Sequence, residues 1–571
     1  MPRTSCKVYM EFADTTAVAD RGILTEANAG IGNAELLREN AEYPLYAMLD
    51  SNSFLLDGSR RILQEETKIP FVSTEASKDD CIFENNPVII IEFTKNHTSA
   101  GITLNFIEDY PAELVISWYD LNGAKIVSSV FYPDDLRYFC RSQIENYGRI
   151  EIAFTKTRRT GQCVKLGGIQ YGTVIEWGGN EIKSASLSEE VDVTSATLPI
   201  NTAEISVMDY DNDFDLSNQN GAWKSVQKRQ ALTIKEEVGS NQVTMGTLYL
   251  DTWKVAAKIV SLSLIDTLGL MDKTKFYDGQ IYTNVAAGEI IDSIMSSAGI
   301  LKYSISDEVS EILLTGHIAI CTHREALQQV LFACGAVADC SRTGGIDIYM
   351  PDRHADSAVG PDRKFTGTTI EVDDYVSGVA ITYNQYILSD EVQEIYKDVL
   401  PKGSTLIEFS EPHEDINVSG GNLIETTVNY AIINMAEAGE CIITGSPYKK
   451  TEITYTAKVE SLKAGEEQNT LSYSGCTMFN IERVKEVAKY ILDYYQLRQI
   501  VTMRYLIDKE RTGTWVNIRD VKGSIVSTGI NSQTIDLTGG FIATAKCRGY
   551  SKVVTDYIYA GEIYAGERGL I

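Results

Sequence analysis

Residues 181–209, EIKSASLSEEVDVTSATLPINTAEISVMD, alternate apolar and polar side chains. Their apolar positions fall mostly two residues apart: Leu187, Val191, Val193, Leu198, Ile200, Ile205 and Val207. A period of two is typical of strands that bury one face. QALTIKEEV (230–238), QVTMGTLYLDTW (242–253) and KIVSLSLIDTLGLMD (258–272) continue the pattern. We therefore predict a small β meander or barrel over residues 173–275.

The period changes in the next part of the chain. NVAAGEIIDSIMSSAG (284–299) and CTHREALQQVLFACG (321–335) have helical spacing, and each ends at a glycine. Thr322 and Glu325 have the spacing of a capping box. The following AVADCSRTGGIDIYM is typical of a hairpin that turns at its Gly-Gly pair. Residues 276–360 are therefore predicted to form an α+β domain.

Strand patterns return over residues 361–480, which we predict to be a β domain. NIERVKEVAKYILDYYQLRQ (480–499) then has the clearest helical pattern in the chain. Because alternating strands follow this helix, residues 481–550 are predicted to be a helix plus a second β part.

The last segment, residues 551–571, contains IYAGE twice in succession, at 558–562 and 563–567. Two copies are too few for a solenoid, which needs about three. We interpret the segment as an extended arm that adds to the sheet edge of a neighbouring molecule. Tyr559 and Tyr564 are its candidate assembly contacts.

Upstream of the opening stretch, residues 43–172 carry strand patterns with no helix between them, after an N-terminal segment at 1–42. Asn122-Gly123, between LVISWYDL and AKIVSSVF, predicts a hairpin. Strands that recur in this way indicate a β-sandwich or jelly roll.

Aromatic residues in this β module allow two interpretations. Because aromatic rings stack on sugars, Trp118, Tyr119 and Tyr132 are candidate glycan contacts. Aromatic side chains on strands are more often part of a core, and that alternative stays open for each of the three.

Composition limits the classes of function. The 571 residues include 51 Lys plus Arg and 79 Asp plus Glu, a formal net charge of −28. This length predicts about three to five domains. The acidic balance argues against an outer surface that binds nucleic acid or anionic membrane, because phosphate neutralisation needs clustered Lys and Arg. The sequence shows no secretory signal and no apolar run that could span a membrane, so synthesis in the cytoplasm is expected.

Motifs for catalysis are missing: the sequence contains no GxSxG, HExxH or GxGxxG. Zinc accepts the side-chain types of His317, Cys321 and His323 as ligands. A structural zinc site needs a fourth ligand, however, and a capped helix start already explains this segment.

DYDNDFD (209–215) begins like a calcium-binding loop but lacks the glycine and the glutamate that such a loop needs further on. A solvated acidic turn is therefore the main interpretation, and a weak calcium site is the alternative. The ten scattered cysteines are predicted to be buried free thiols. We predict no enzymatic activity, no metal and no cofactor.

The stretch from Ser184 to about Pro351 resembles the baseplate hub and tail-associated (tail tip) proteins of long-tailed phages of Gram-positive bacteria. The resemblance is carried by VDVTSATLPINTAEISVMD, MGTLYLDTW, IDTLGLMDKTKFYDGQIYTNVAAGEIIDSIM and TGHIAICTHREALQQVLFACGAVAD. PDRKFTG, LIEFSEP and IDLTGGFIATAK resemble later parts of the same family, so the similarity covers most of residues 175–550. These motifs are structural, and they leave open a contractile tail, a non-contractile tail or a phage-derived bacteriocin particle.

The resemblance implies a homotrimer whose subunits each contain two tube-like β-barrel domains, the first at 173–275 and the second within 481–550. Six such domains would adapt a hexameric tail tube to a threefold tip, and the ring would conduct the tape measure protein and DNA. The implied partners are the distal tail or tail tube protein, the tape measure protein and a tip spike or fibre protein. The implied location is the distal end of the tail in the virion.

The β module at 43–172 departs from the family and resembles an inserted galactose-binding-like jelly roll. A second hypothesis is therefore a tail-tip protein that binds a host cell-surface polysaccharide through this module. The predicted fold class is mainly β with α+β parts: two tube-like β-barrel domains, an α+β domain and an N-terminal inserted jelly-roll-like β-sandwich.

Overall fold

The computed structural model describes residues 4–13, 24–27, 71–107, 109–210, 229–239, 241–462, 468–519 and 525–552, with single residues at 17, 20, 212, 214, 215, 217 and 226. Of the described residues, 56% lie in strands and 11% in helices, and the strands form several sheets. The protein is therefore mainly β, which confirms the predicted fold class.

The chain divides into two compact units. We call residues 1–8, 177–221 and 231–571 the main unit, and residues 9–176 and 222–230 the insert unit. The finer domain boundaries given above stay predictions.

The insert unit consists of antiparallel strands around one apolar core. Its strands, of which the first begins and the last ends in the main unit, are β1 (Thr4–Ala13), β2 (Leu24–Ala27), β3 (Phe71–Val72), β4 (Val88–Phe106), β5 (Glu113–Tyr119), β6 (Lys125–Phe131), β7 (Arg137–Lys156) and β8 (Lys165–Trp177). β5 pairs with β6 and β7, and β7 pairs with β4 along most of its length. Ile150, Ile152 and Phe154 are fully buried in this core, because alternate positions of β7 face inward.

The turn between β5 and β6 is the predicted Asn-Gly hairpin. Gly123 has a φ of 82°, a conformation that favours glycine. Asp120 Oδ1 accepts hydrogen bonds from the backbone N–H groups of Asn122 and Ala124 at 2.9 and 2.8 Å. The hairpin prediction is therefore confirmed.

The main unit begins with five antiparallel strands: β9 (Ile182–Glu190), β10 (Thr202–Met208), β11 (Ala231–Val238), β12 (Asn241–Ala256) and β13 (Ile259–Ile265). β10 pairs with β9 and β13, and β12 joins β13 to β11. Leu187, Ile205 and Val207 are buried, as their spacing predicted.

Short strands and helices follow: α1 (Thr267–Met271), β14 (Lys275–Phe276), β15 (Ile281–Ala286), α2 (Ala287–Ala298), β16 (Tyr303–Ile305), α3 (Asp307–Ser310), β17 (Leu313–His317), β18 (Cys321–Thr322), α4 (His323–Cys334), β19 (Val337–Asp339) and β20 (Ile346–Tyr349). The capping box is confirmed at the start of α4, where Thr322 Oγ1 accepts from the Glu325 N–H at 3.1 Å and Glu325 Oε2 accepts from the Thr322 N–H at 2.9 Å. Gly299 and Gly335 end α2 and α4 in the left-handed conformation.

The rest of the main unit contains β21 (Ala355–Val359), β22 (Thr369–Val372), β23 (Gly378–Leu388), β24 (Gln393–Leu400), β25 (Gly403–Glu408), β26 (His413–Ser419), β27 (Asn422–Thr426), β28 (Tyr430–Met435), β29 (Gly439–Lys458), β30 (Thr470–Cys476), α5 (Ile481–Tyr495), β31 (Gln499–Leu506), β32 (Trp515–Arg519), β33 (Ile525–Asp536) and β34 (Ile542–Lys552). Val484, Val487 and Ile491 bury one face of α5 in a core shared with α2, α4 and β23. Among the described residues, no helix is long and apolar enough to cross a membrane.

Candidate functional site

One continuous sheet connects distant parts of the main unit's sequence. β33 pairs antiparallel with β9, from Ser532 opposite Glu190 to Asp536 opposite Ser186. Through this pairing, which we call the seam, the strands follow one another in the order β11, β12, β13, β10, β9, β33, β34, β31 and β22. Strands from 182–265 and from 499–552 therefore share one hydrogen-bonded sheet.

A buried polar network, which we call the seam network, lies at this pairing. Glu189 on β9 is 1% exposed. Its Oε1 accepts from Arg342 Nε at 3.1 Å, and its Oε2 accepts from Gln533 Nε2 on β33 at 2.6 Å. Gln533 Oε1 accepts from the Tyr505 hydroxyl on β31 at 2.8 Å, and Arg342 Nη2 donates to the Glu510 carbonyl oxygen at 3.0 Å. The network thus ties both halves of the sheet to Arg342 in the turn between β19 and β20.

A second ion pair extends the seam network. Arg363 donates through Nη2 and Nη1 to the two carboxylate oxygens of Glu510, at 2.6 and 3.2 Å. Burial raises the pKa of Glu510, but the hydrogen bonds from Arg363 and from backbone N–H groups, together with the Arg363 charge, outweigh burial and bring that pKa below its ordinary value. The ionised Glu510–Arg363 pair is therefore the favoured state at neutral pH.

Two further carboxyl groups of the main unit, those of Asp266 and Asp339, are also buried. Asp266 caps α1 and accepts from the Asn201 N–H at 2.8 Å. Asp339 Oδ1 accepts from the Ser341 N–H at 2.8 Å, and Ser341 Oγ lies 2.7 Å from Thr512 Oγ1. Burial raises the pKa of Asp266 to about 7 and that of Asp339 to about 6. Both groups therefore change charge close to neutral pH.

No sequence motif singles out these polar residues, but the strand period contains a signal for Glu189 and for a further buried carboxyl group, that of Glu236 on β11. Glu189 has the same parity as Leu187 and Val191, so its side chain points to the buried face. Glu236 has the same parity as Ile234, is 0% exposed, and has its pKa raised by burial to about 7. A carboxylate at an inward position of an alternating strand marks a buried polar group.

The sheet is open at β22 within the described part of the chain. β22 pairs with β31 and with no other described strand. All four of its residues are exposed, including Ile370 at 54% and Val372 at 67%. Unpaired backbone groups next to exposed aliphatic side chains are a template for another strand.

The three aromatic glycan candidates lie in different environments. Trp118 is fully buried and packs edge-on against Phe131, so it belongs to the core of the insert unit. Tyr119 is half-buried, with Lys125 Nζ 5.4 Å and the Arg149 guanidinium 5.1 Å from its ring centroid. Tyr132 is 63% exposed. Surface contact stays a prediction for Tyr119 and Tyr132.

The polar residues considered for metal binding have other partners. His317 Nε2 lies 2.7 Å from Asn429 Oδ1, and His323 Nδ1 lies 2.8 Å from Thr274 Oγ1. In the described ranges, no group of three or more His, Cys, Asp or Glu side chains is placed to hold a metal ion. All ten cysteines are free thiols and seven of them are buried, which confirms that prediction for those seven.

Several predicted positions lie outside the described residues. They are Asp211 and Asp213 of the acidic turn, most of the segment 1–42, residues 43–70 of the predicted β module, and residues 553–571 of the arm, with Tyr559 and Tyr564. Their roles stay predictions.

Three solved structures have partly similar backbones. The tail protein from Neisseria meningitidis has a TM-score of 0.40 and 10% identity, over 66% of this chain and 93% of its own. The 43 kDa tail protein of prophage MuSo2 from Shewanella oneidensis has 0.38 and 12%, over 65% and 94%. Prophage tail protein gp18 from Listeria monocytogenes has 0.36 and 10%, over 66% and 93%. Likenesses at this level carry no argument about function. No protein-family model and no curated protein matches the chain.

Proposed function

We propose that this chain is a structural baseplate hub of a phage or phage-like particle. In this proposal three copies form a ring at the distal end of the tail. The ring adapts the hexameric tail tube to the tip and conducts the tape measure protein and DNA, and the chain has no enzymatic role. Support comes from the sequence resemblance between Ser184 and Pro351 and from the order of β, α+β and β parts along the main unit.

The seam is the observation that carries this proposal. A subunit that contributes two neighbouring segments to a tube wall needs both of its β parts in one sheet. The pairing of β9 with β33 joins the two parts in this way. The buried seam network then holds the two parts together, because Glu189 contacts both Arg342 and Gln533.

The exposed edge of β22 supports closure of a ring. A symmetric ring pairs the open edge of one subunit with a neighbouring subunit and so leaves no edge unpaired. Ile370 and Val372 would be covered in that interface, which removes exposed aliphatic surface from water.

Light scattering on the purified full chain tests the ring. We expect a trimer of about 190 kDa, three times the chain mass of 63.2 kDa. Val372→Lys should reduce the trimer to monomers, because it places a charge in the proposed interface. Val399→Lys on β24 is a matched control, since both valines are 67% exposed. A wild-type monomer at all concentrations, or equal effects of the two substitutions, contradicts the proposal.

The partners proposed for the ring are the distal tail or tail tube protein, the tape measure protein and a tip spike or fibre protein. They follow from the sequence resemblance and from a ring with two faces. Co-purification of the ring with the tube protein from the same particle tests the first contact, and a ring that leaves the tube protein unbound argues against it.

Binding of a host-surface polysaccharide through the insert unit is a second candidate function. The observation in its favour is an exposed aromatic ring: the Tyr132 side chain is 63% exposed. Val130, two residues before it, is 49% exposed. A glycan array with the full chain should then show signals that Tyr132→Ala removes. Tyr210→Ala in the main unit is the control, since Tyr210 is 54% exposed. A silent array, or signals that survive Tyr132→Ala, removes Tyr132 from this role.

A further inference from the structure

A cavity of about 290 Å³ opens in the main unit between α4 and the end of β30. Its lining includes three aromatic rings, with the Phe332 ring centroid 5.4 Å from that of Tyr473 and 5.6 Å from that of Phe479. Its lining also includes polar side chains, among them Gln329, which accepts a hydrogen bond from the Thr477 hydroxyl. None of the described residues that line it is charged. Such a cavity suits an aromatic side chain that ends in a hydroxyl, as tyrosine does.

The strand beside the cavity has an open edge. β30 pairs with β23, its only partner among the described strands. Residues 472–477 line the cavity, and Ser474 is exposed. An open strand edge next to a side-chain pocket is the arrangement to which an extended segment adds as a further strand. Backbone hydrogen bonds then supply affinity, and the pocket supplies specificity.

The chain carries a segment with matching chemistry. The 19 residues after Lys552 contain IYAGE at 558–562 and again at 563–567. In each copy a tyrosine follows isoleucine, a residue that favours strands, and precedes two small residues. Fully extended, 19 residues span up to about 60 Å.

A short series of contacts leads from the end of β34 to the start of β30. Ser551 Oγ donates to Gln499 Oε1 at 2.9 Å, and Gln499 is the strand partner of Val372. The carbonyl oxygen of Tyr375 accepts from Asn469 Nδ2 at 3.0 Å, and Asn469 directly precedes β30. A segment that starts after Lys552 is therefore long enough to reach β30 of its own subunit.

We propose that the C-terminal segment adds as a strand to β30 and inserts Tyr559 or Tyr564 into the cavity. This docking is independent of the proposed tail function, because it rests on the cavity, the open edge and the length of the segment. The segment comes from the same subunit, because the contacts described above lead from the end of β34 to β30 within one chain.

Photo-crosslinking in the full chain tests the docking. p-Benzoylphenylalanine replaces Tyr559, Tyr564 or, as a control, Tyr132, and the adducts are mapped by mass spectrometry. We expect adducts from position 559 or 564 on peptides that contain 328–332 or 470–479. Adducts within one chain support docking in the same subunit, whereas crosslinked dimers contradict it. If neither position labels these peptides, or if the control labels them equally, the docking is wrong.

A second pair of variants tests whether the adducts depend on the cavity. Ser474→Trp places an indole at the cavity mouth and should lower the adduct yield about fivefold or more. Gln393→Trp on β24, the opposite edge of the same sheet, does not line the cavity and should leave the yield unchanged. Equal yields in the two variants would overturn the proposal even if adducts form.

Discussion

Replacing Glu189 with Gln tests how strongly the seam depends on its buried network. The substitution keeps the shape of the side chain but removes the charge that faces Arg342, whose side chain is 12% exposed. The carboxylate accepts from both Arg342 and Gln533, on different oxygens. An amide has only one accepting oxygen, so one of the two donors loses its partner.

The expected loss follows from those two contacts. Removing one partner of a buried ion pair lowers the free energy of unfolding by about 3–5 kcal/mol, because the other charge stays buried. Arg342 keeps its hydrogen bond to the Glu510 carbonyl at 3.0 Å, which favours the lower end of that range. We therefore expect Glu189→Gln to destabilise the main unit by about 3 kcal/mol.

Urea titration followed by tryptophan fluorescence measures this loss. Glu190→Gln is the matched control, because Glu190 is the next residue of β9 and is exposed. Its effect should stay within about 0.5 kcal/mol. A loss below about 1 kcal/mol for Glu189→Gln, or equal losses for the two variants, refutes the role given to the network.

Four further substitutions have expected outcomes. The folded-state pKa of Asp339, about 6, lies above its ordinary value, so its contribution to stability falls as pH rises through 6. Asp339→Asn should remove a loss of about 3 kcal/mol in unfolding free energy between pH 4 and 8, measured by urea titration at each pH. Trp118→Ala should lower the unfolding free energy of the insert unit by about 3–5 kcal/mol, and Tyr132→Ala by less than about 0.5 kcal/mol, in the same assay. Gly316→Ala should destabilise by about 3 kcal/mol or more, because its Cβ would lie 1.8 Å from the Thr477 carbonyl oxygen; thermal melting measures it.

Each of these substitutions has an outcome that contradicts its reasoning. An unchanged pH profile for Asp339→Asn means that this carboxyl does not titrate near neutral pH. The exposed Asp390→Asn serves as its control and should leave the profile unchanged. Similar losses for the two aromatic substitutions contradict the burial of Trp118. A melting temperature for Gly316→Ala within about 2 °C of the wild type means that the backbone around Thr477 moves aside.

Local features could be predicted from the sequence because a few neighbouring residues determine them. The capping box depends on Thr322 and Glu325, and the β5–β6 hairpin depends on Asn122 and Gly123. The burial of Trp118 could also be inferred, since it has the same parity on β5 as the buried Leu114. The aromatic residue type alone suggested a sugar contact, whereas the strand period separates core from surface.

The seam could not be predicted in this way. It joins residues 186–190 to residues 532–536, and no local pattern encodes which distant strand edges pair. The seam network has the same limit, because Glu189 meets Gln533 only after the register of β9 and β33 is set. An inward-facing carboxylate can be recognised from its parity, but its partners depend on the tertiary structure.

A cryo-electron microscopy reconstruction of the assembled full chain tests the proposed hub most directly. We expect a threefold ring in which β9 pairs with β33 inside every subunit and β22 pairs with a neighbouring subunit. Single subunits without a threefold axis, or a ring in which β22 stays exposed while β9 and β33 lie apart, would contradict the proposal.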